Sequence, residues 1–323
     1  MNREIVPHKT NKALARQGLT LPAIIEDAGE HASRKFLEFF VARIRNKNTR
    51  AAYGRAVMQF FDWCEERGLA LHEIEPIAVS AYIEGHPGSV PTVKQHLAAI
   101  RMLFDHLVVS QVVPFNPAHA VRGPRHVIKK GKTPVLTAEE ARMLFDSIDT
   151  STIVGQRDRA IIATLLYSFA RVGAVVGMNL EDYYHMGKRS HLRLHEKGGK
   201  FHQVPVHHVL QGYLDAYIST ADIASQPKSP LFRTIDRSRN LTNARMLRTD
   251  VLKMVKRRAG RAGISTKISP HTFRATGITI YLDEGGNLET AQAIAAHESP
   301  RTTKLYDRTS DAIDLAEIER IRV

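Results

Sequence analysis

Ser269-Pro270-His271-Thr272-Phe273-Arg274 opens a segment in which Phe273, Gly277 and Tyr281 recur at the spacing of one buried helix face. On such a helix His271 and Arg274, three residues apart, project to one side. A lone His-x-x-Arg pair is common on protein surfaces, so its weight depends on what accompanies it. Outward from this box, His297 stands nine residues before Tyr306, and Tyr306 lies 32 residues after Arg274. Upstream lie Arg171, at the end of a helical stripe of Ile161, Leu165 and Phe169, and a basic pair, Lys197 and Lys200.

These residue types suit the breaking of a phosphodiester by a side chain. The nucleophile must attack in line, the non-bridging oxygens must be held, and the departing oxygen must gain a proton. Arginine provides a planar, permanently charged clamp. Lysine or histidine can deliver the proton. Tyrosine suits a bond that must later be reversed, because a phenol leaves more readily than an alkoxide. Taken singly, Tyr306 is an ordinary half-buried tyrosine and His297 an ordinary helix-end histidine. No His-Glu-x-x-His metal pair occurs, and no run of carboxylates suggests a two-metal centre.

With 323 residues and 43% of them hydrophobic, the chain is long enough for about two domains with buried cores. The formal charge is +13. Residues 1–130 carry 18 Lys and Arg against 12 Asp and Glu, and the remainder 28 against 21, so both halves are basic. A polyanion touched by both halves is the simplest partner. The single cysteine, Cys64, excludes an intrachain disulfide; Phe60, Phe61 and Trp63 beside it point to a core position. Neither a secretory signal nor a membrane-spanning run is present, so the expected setting is the cytoplasm.

Residues 1–30 show no firm periodicity and read as an N-terminal extension. Across 31–121 the spacing of Tyr53, Val57, Phe60, Phe61 and Cys64, and of Val93, Leu97, Ile100, Phe104 and Leu107, predicts a small helical bundle. Thr49 and Thr92 are its expected N-caps. Arg43, Lys47, Arg50, Lys94 and Arg101 on its polar faces are candidate phosphate contacts. A basic linker follows at 122–133, with Arg122, Arg125, Lys129, Lys130 and Lys132 among Gly and Pro. The second domain, 134–323, opens on the capping box Thr137 to Glu140. It reads as mostly helical, with a β-hairpin running from Leu192 and Leu194 through Gly198-Gly199 to Val204 and Val206.

This set of motifs, in this order, resembles the tyrosine recombinase (phage integrase) family. Ser168-Phe-Ala-Arg171 with Met178-Asn-Leu-Glu-Asp182 is similar to its first arginine motif, and Glu196-Lys-Gly-Gly-Lys200 with Val204-Pro-Val206 to its lysine hairpin. Ser269 to Arg274 is similar to the second arginine box, and Ala296-His297 followed by Thr302 to Tyr306 to its nucleophile segment. Asn48 to Tyr53 and Asn116-Pro117-Ala118 resemble the helical domain that binds the DNA core site. The resemblance implies a mainly α fold with a small β-sheet: an N-terminal helical core-binding (SAM-like) domain and a C-terminal mixed α/β catalytic domain.

It also implies roles. Tyr306 attacks DNA phosphorus to leave a 3′-phosphotyrosyl bond. Arg171 and Arg274 hold the phosphate, His271 and His297 hydrogen-bond to it, and Lys197 protonates the leaving 5′-oxygen, with Lys200 as the alternative. No ATP, metal or other cofactor is required. The implied partner is double-stranded DNA, two duplexes held by a homotetramer in which a tail helix docks on the neighbouring subunit. Accessory DNA-bending proteins or a second recombinase would be compatible with this. One departure stands out: the family pattern has an acidic residue three positions after the first arginine, and this chain has Ala174. A type IB-like topoisomerase, or an architectural DNA-binding protein that has lost turnover, are the rival readings.

Overall fold

Two apolar runs at helical spacing become the paired long helices of the N-terminal unit. The computed structural model describes residues 21–125, 131–196 and 201–307, and the chain divides into two compact units, Met1–Val127 and Ile128–Val323. The expectations for residues 1–20, for Lys129, Lys130, Lys197 and Lys200, and for the tail beyond residue 307 lie outside the described residues.

The first unit contains α1 (Ala23–Asp27), α2 (Glu30–Glu38, continued by a π turn at Phe39–Arg43), α3 (Lys47–Glu65), α4 (Pro76–Glu84) and α5 (Val90–Val109). Phe36, Phe39, Phe40, Phe60, Phe61 and Phe104 are buried together; Phe36 and Phe40 meet edge to face at 5.2 Å. Each such ring contributes about 1.5–3 kcal/mol by leaving water. Cys64 is buried among them.

Two expectations are corrected here. The extension is expected to run to residue 30, yet Ile24 and Ile25 are buried in this core, so α1 belongs to the first unit. The two apolar residues are too few to show a period. The caps also sit three residues earlier than expected. Asn46 accepts from the amides of Asn48 and Thr49, at 2.9 and 3.2 Å, and Ser89 holds the N-cap position of α5 with its hydroxyl 2.9 Å from that of Thr92. Asparagine serves as well as threonine in satisfying first-turn amides, whereas the Ser89 hydroxyl bonds that of Thr92 and no first-turn amide.

In the second unit Thr137 and Glu140 form the expected reciprocal cap at the start of α6 (Ala138–Asp146). The central α7 (Ile153–Tyr167) is buried along most of its length. After α8 (Val172–Gly177) come β1 (Tyr183–Met186), β2 (Arg189–His195) and β3 (Phe201–Pro205), which make one antiparallel sheet. Leu192 pairs with Val204 and Leu194 with His202, so the alternating apolar residues face the core as expected. β1, whose polar Tyr-Tyr-His-Met gives no alternation, extends the predicted hairpin to three strands. Next are α9 (His208–Ala221), the paired strands β4 (Arg233–Ile235) and β5 (Leu241–Arg245), α10 (Arg248–Arg261), α11 (Pro270–Asp283), α12 (Leu288–Ile294) and α13 (Pro300–Lys304).

A buried ionic knot ties α7 to α10 and β4. Asp158, fully buried, accepts from Arg157 at 2.8 Å, from Arg258 at 2.7 and 2.9 Å, and from Arg257 at 3.1 Å. Arg157 also donates to the Arg233 carbonyl at 2.8 Å. A chain that lacks this carboxylate retains two buried guanidinium groups without their counter-charge. Asp158→Ala is therefore expected to destabilise the unit by about 3–5 kcal/mol, read as a lower urea midpoint; an unchanged midpoint would show the arginines to be solvated.

Candidate active site

Helix α11 can lie against the end of α7 because residue 277 has no side chain. A Cβ on Gly277 would stand 2.2 Å from the Leu166 carbonyl oxygen and 2.8 Å from the Phe169 ring. The helix starts at Ser269, whose amide donates to Thr272 Oγ1 at 3.0 Å, with Pro270 in the first turn. This sets His271 and Arg274 one turn apart at its N-terminal end.

Arg274 is almost wholly buried. Its Nη1 donates to the Phe169 carbonyl and its Nη2 to the Ala295 carbonyl at 2.5 Å. Its Nε is buried and has no hydrogen-bond partner among the described residues. The stripe expected to run helically through Phe169 stops at Tyr167, and Phe169 takes φ +51°. That left-handed conformation is costly for a bulky residue, and its carbonyl is one of the two that hold the arginine.

The nucleophile candidate is held on the same face. Tyr306 is buried, and its hydroxyl is 3.0 Å from His271 Nε2. The His297 ring lies 5.8 Å away and only 5° from parallel to the phenol ring. His297 Nδ1 is 2.9 Å from Thr303 Oγ1, which orients the imidazole. The backbone is fastened as well: the Tyr306 carbonyl accepts from Thr279 Oγ1 at 3.1 Å, and the Leu305 carbonyl accepts from the Gly131 amide at 3.0 Å. At Gly131 a Cβ would come within 2.5 Å of that Leu305 oxygen, so the linker end can approach only as glycine.

Arg171 caps α8, and its Nη1 is 2.5 Å from Glu196 Oε2, at the end of β2. The fold gathers Arg171, His271, Arg274, His297 and Tyr306, the candidates expected from the sequence. Glu196, Thr303 and Thr279 carry no role that spacing alone announces. For Glu196 a signal existed, namely a carboxylate directly before the candidate Lys197. Of the candidate DNA contacts, Arg43, Lys47, Lys94, Arg122, Arg125 and Lys132 are exposed. Two behave otherwise: Arg50 donates twice to the Ile44 carbonyl, at 2.8 and 3.0 Å, and Arg101 to the carbonyls of Ala118 and Val121. Both guanidinium groups are engaged in closing their own unit.

The electrostatics keep the imidazoles neutral. Burial, reinforced by Arg274 and Arg171, pushes His297 down to about 3, and the same causes in the same order lower His271. Burial raises the Tyr306 phenol while the two arginines oppose it. Arg274 falls to about 10, through burial and then Arg171, and stays charged at neutral pH. For His297 the sign follows directly. Its folded pKa lies below its unfolded value of about 6.5, so unfolding takes up a proton and stability falls as pH drops from about 6.5 toward 3. Between pH 7 and 5 this costs about 2 kcal/mol. His297→Asn should shrink the acid sensitivity of urea unfolding by that amount, and equal sensitivity in both proteins would mean that the imidazole protonates in place.

Residues 134–312 match the family model described as the phage integrase family. The chain belongs to the phage integrase family. A tyrosine recombinase XerC of Thermodesulfovibrio yellowstonii is 28% identical over 270 residues, covering 81% of this chain and 85% of the relative. Among solved structures, XerH bound to its difH substrate before cleavage superposes with a TM-score of 0.65 at 15% identity, covering 94% of this chain and 96% of that one. A lambda integrase tetramer bound to a Holliday junction gives 0.63 at 17% identity, with coverage of 95% and 84%. The last two likenesses concern the fold. As a phage integrase family member of the tyrosine type, the protein is a site-specific DNA recombinase, an enzyme that breaks and rejoins DNA strands.

Proposed function

We propose that Tyr306 attacks a scissile DNA phosphate held by Arg171 and Arg274, and that this chain recombines two duplexes as a homotetramer. The observation that carries the reading is the Tyr306 hydroxyl, 3.0 Å from a neutral His271 and beside the buried Arg274. The phenol proton passes to His271 as the Tyr306 oxygen–phosphorus bond forms and the bond from phosphorus to the 5′-oxygen breaks. Lys197 protonates that oxygen, with Lys200 as the alternative donor. His297, neutral and oriented by Thr303, donates a hydrogen bond to a non-bridging oxygen. Arg274, whose Nε has no hydrogen-bond partner among the described residues, donates to the other. The 5′-hydroxyl of a partner strand then attacks the phosphotyrosine and restores the phenol, so the bond energy is conserved without ATP or a metal.

The exposed cations of the N-terminal unit and of the linker contact the DNA backbone in this reading, and the tail beyond residue 307 docks on the neighbouring subunit. A groove lined by Phe145, Tyr167, Tyr213, Tyr281 and Ile294 suits the apolar residues of that tail, Leu315, Ile318 and Ile321. The reaction takes place in the cytoplasm; among the described residues no helix is long and apolar enough to cross a membrane.

The test is covalent selection. Full-length protein is mixed with nicked duplexes carrying a randomised core, DNA that survives denaturing washes is sequenced, and the modified residue is mapped by mass spectrometry. Adducts on Tyr306, recovered with a shared core sequence, are expected. Tight binding with no retained DNA would overturn the reading in favour of an architectural protein, and adducts that only religate their own strand would favour a topoisomerase.

A further inference from the structure

The first arginine lacks its expected carboxylate, because Ala174 occupies that position and is buried in the apolar core. Its guanidinium is nevertheless paired. Glu196 reaches it from a different element, 25 residues away, with Oε2 2.5 Å from Arg171 Nη1. The pair is lopsided in its exposure. The Glu196 side chain is 5% accessible and that of Arg171 40%, so the acid lies inside and the cation retains an open side. Among the described residues only Nη1 of Arg171 is engaged, which leaves Nε and Nη2 available.

We propose that Glu196 is the positioning residue of the first phosphate clamp, supplying from the β2–β3 hairpin the support that the family pattern places on the helix after Arg171. The inference rests on the reading of Arg171 as a phosphate ligand. Three physical arguments carry it. A half-exposed arginine has several rotatable bonds, and a carboxylate fixed at one Nη holds the planar fork so that the opposite edge can meet phosphate oxygens. Glu196 is itself fixed, since the last pair of the sheet joins His195 to Phe201 immediately beside it. Its negative charge also acts on Arg274, offsetting the mutual repulsion of two clamp arginines before phosphate arrives. A further consequence is covalent: Glu196 directly precedes Lys197, so the ion pair anchors the strand leading to the proposed proton donor to the clamp itself.

The experiment uses the full chain and a duplex recovered in the covalent selection. Glu196→Gln preserves the shape and removes the charge; Glu196→Asp preserves the charge on a shorter stem. At saturating protein, E196Q should slow adduct formation about 10- to 100-fold, the order of loss known for partners that orient metal-ligating side chains. Its DNA Kd and melting temperature should stay near wild type, and E196D should recover most of the rate. Adding Ala174→Glu to E196Q should restore nothing, because that side chain would enter the apolar core. In an Arg171→Lys background E196Q should have little further effect, as expected for two residues that act as a unit. A wild-type rate for E196Q overturns the proposal. An equal loss on adding E196Q to the wild-type chain and to the R171K chain also overturns it, in favour of a purely structural hairpin contact. A wild-type chain that retains no DNA at all instead overturns the underlying reading of the site, and this inference with it.

Discussion

Tyr306→Phe protein is expected to bind the selected duplex with nearly unchanged affinity and to leave none of it covalently attached. The substitution removes one oxygen and nothing else. The ring keeps its place beside His297, the backbone keeps its bonds to Thr279 and Gly131, and the lost hydrogen bond is the one to His271. A neutral hydrogen bond of this kind contributes about 1 kcal/mol to folding, so the melting temperature should barely move. The chemistry has no such reserve. His271 is held neutral and lies 3.0 Å from the phenol, which suits it to accept a proton but not to replace the oxygen nucleophile. Adduct formation should therefore fall below detection on a denaturing gel. Adduct persisting at the wild-type level in this variant would exclude Tyr306 as the nucleophile and direct attention to other hydroxyls.

Arg274→Ala should lower the adduct rate by about 10²–10³-fold at saturating DNA, the loss found when one preorganised donor to a developing oxyanion is removed. Binding should survive, because affinity for the duplex is spread over many exposed cations. This variant also carries a folding cost that Tyr306→Phe does not. The Phe169 and Ala295 carbonyls lose their donor, and a cavity opens between α7, α11 and the turn after α12. Leaving such groups unsatisfied costs about 1–3 kcal/mol each, so the assay belongs well below the variant's melting temperature. Arg274→Lys separates the two effects. It keeps a charge near the phosphate while losing the planar fork that the Phe169 and Ala295 carbonyls hold, so a large rate loss in that variant assigns the effect to the oriented guanidinium and not to charge alone. A wild-type rate in both variants would remove Arg274 from the clamp.

Much of this site was legible without coordinates, for a local reason. His271 and Arg274 share a helix face because they are three residues apart; Thr137 and Glu140 cap α6 because they are also three apart; Leu192, Leu194 and Val204 face the core because strands alternate. In each case the partners lie within one helical turn or one hairpin, so spacing alone brings them together. The order of Arg171, the His-x-x-Arg box, His297 and Tyr306 added the identity of the chemistry. What the sequence left open involves partners joined only by the path of the chain. Arg171 finds Glu196 across 25 residues, Arg274 finds Phe169 across 105, and Asp158 gathers Arg258 across 100. Arg50 and Arg101, polar-face cations by their periodicity, turn onto carbonyls of their own unit, and Phe169 adopts a positive φ that no helical stripe predicts. An arginine's five donors can be met by phosphate, carboxylate or carbonyl oxygens, and residue type does not choose among them. Residue type therefore determined what this protein can do, while the tertiary structure decided which cations are held by the protein itself and which remain open to DNA.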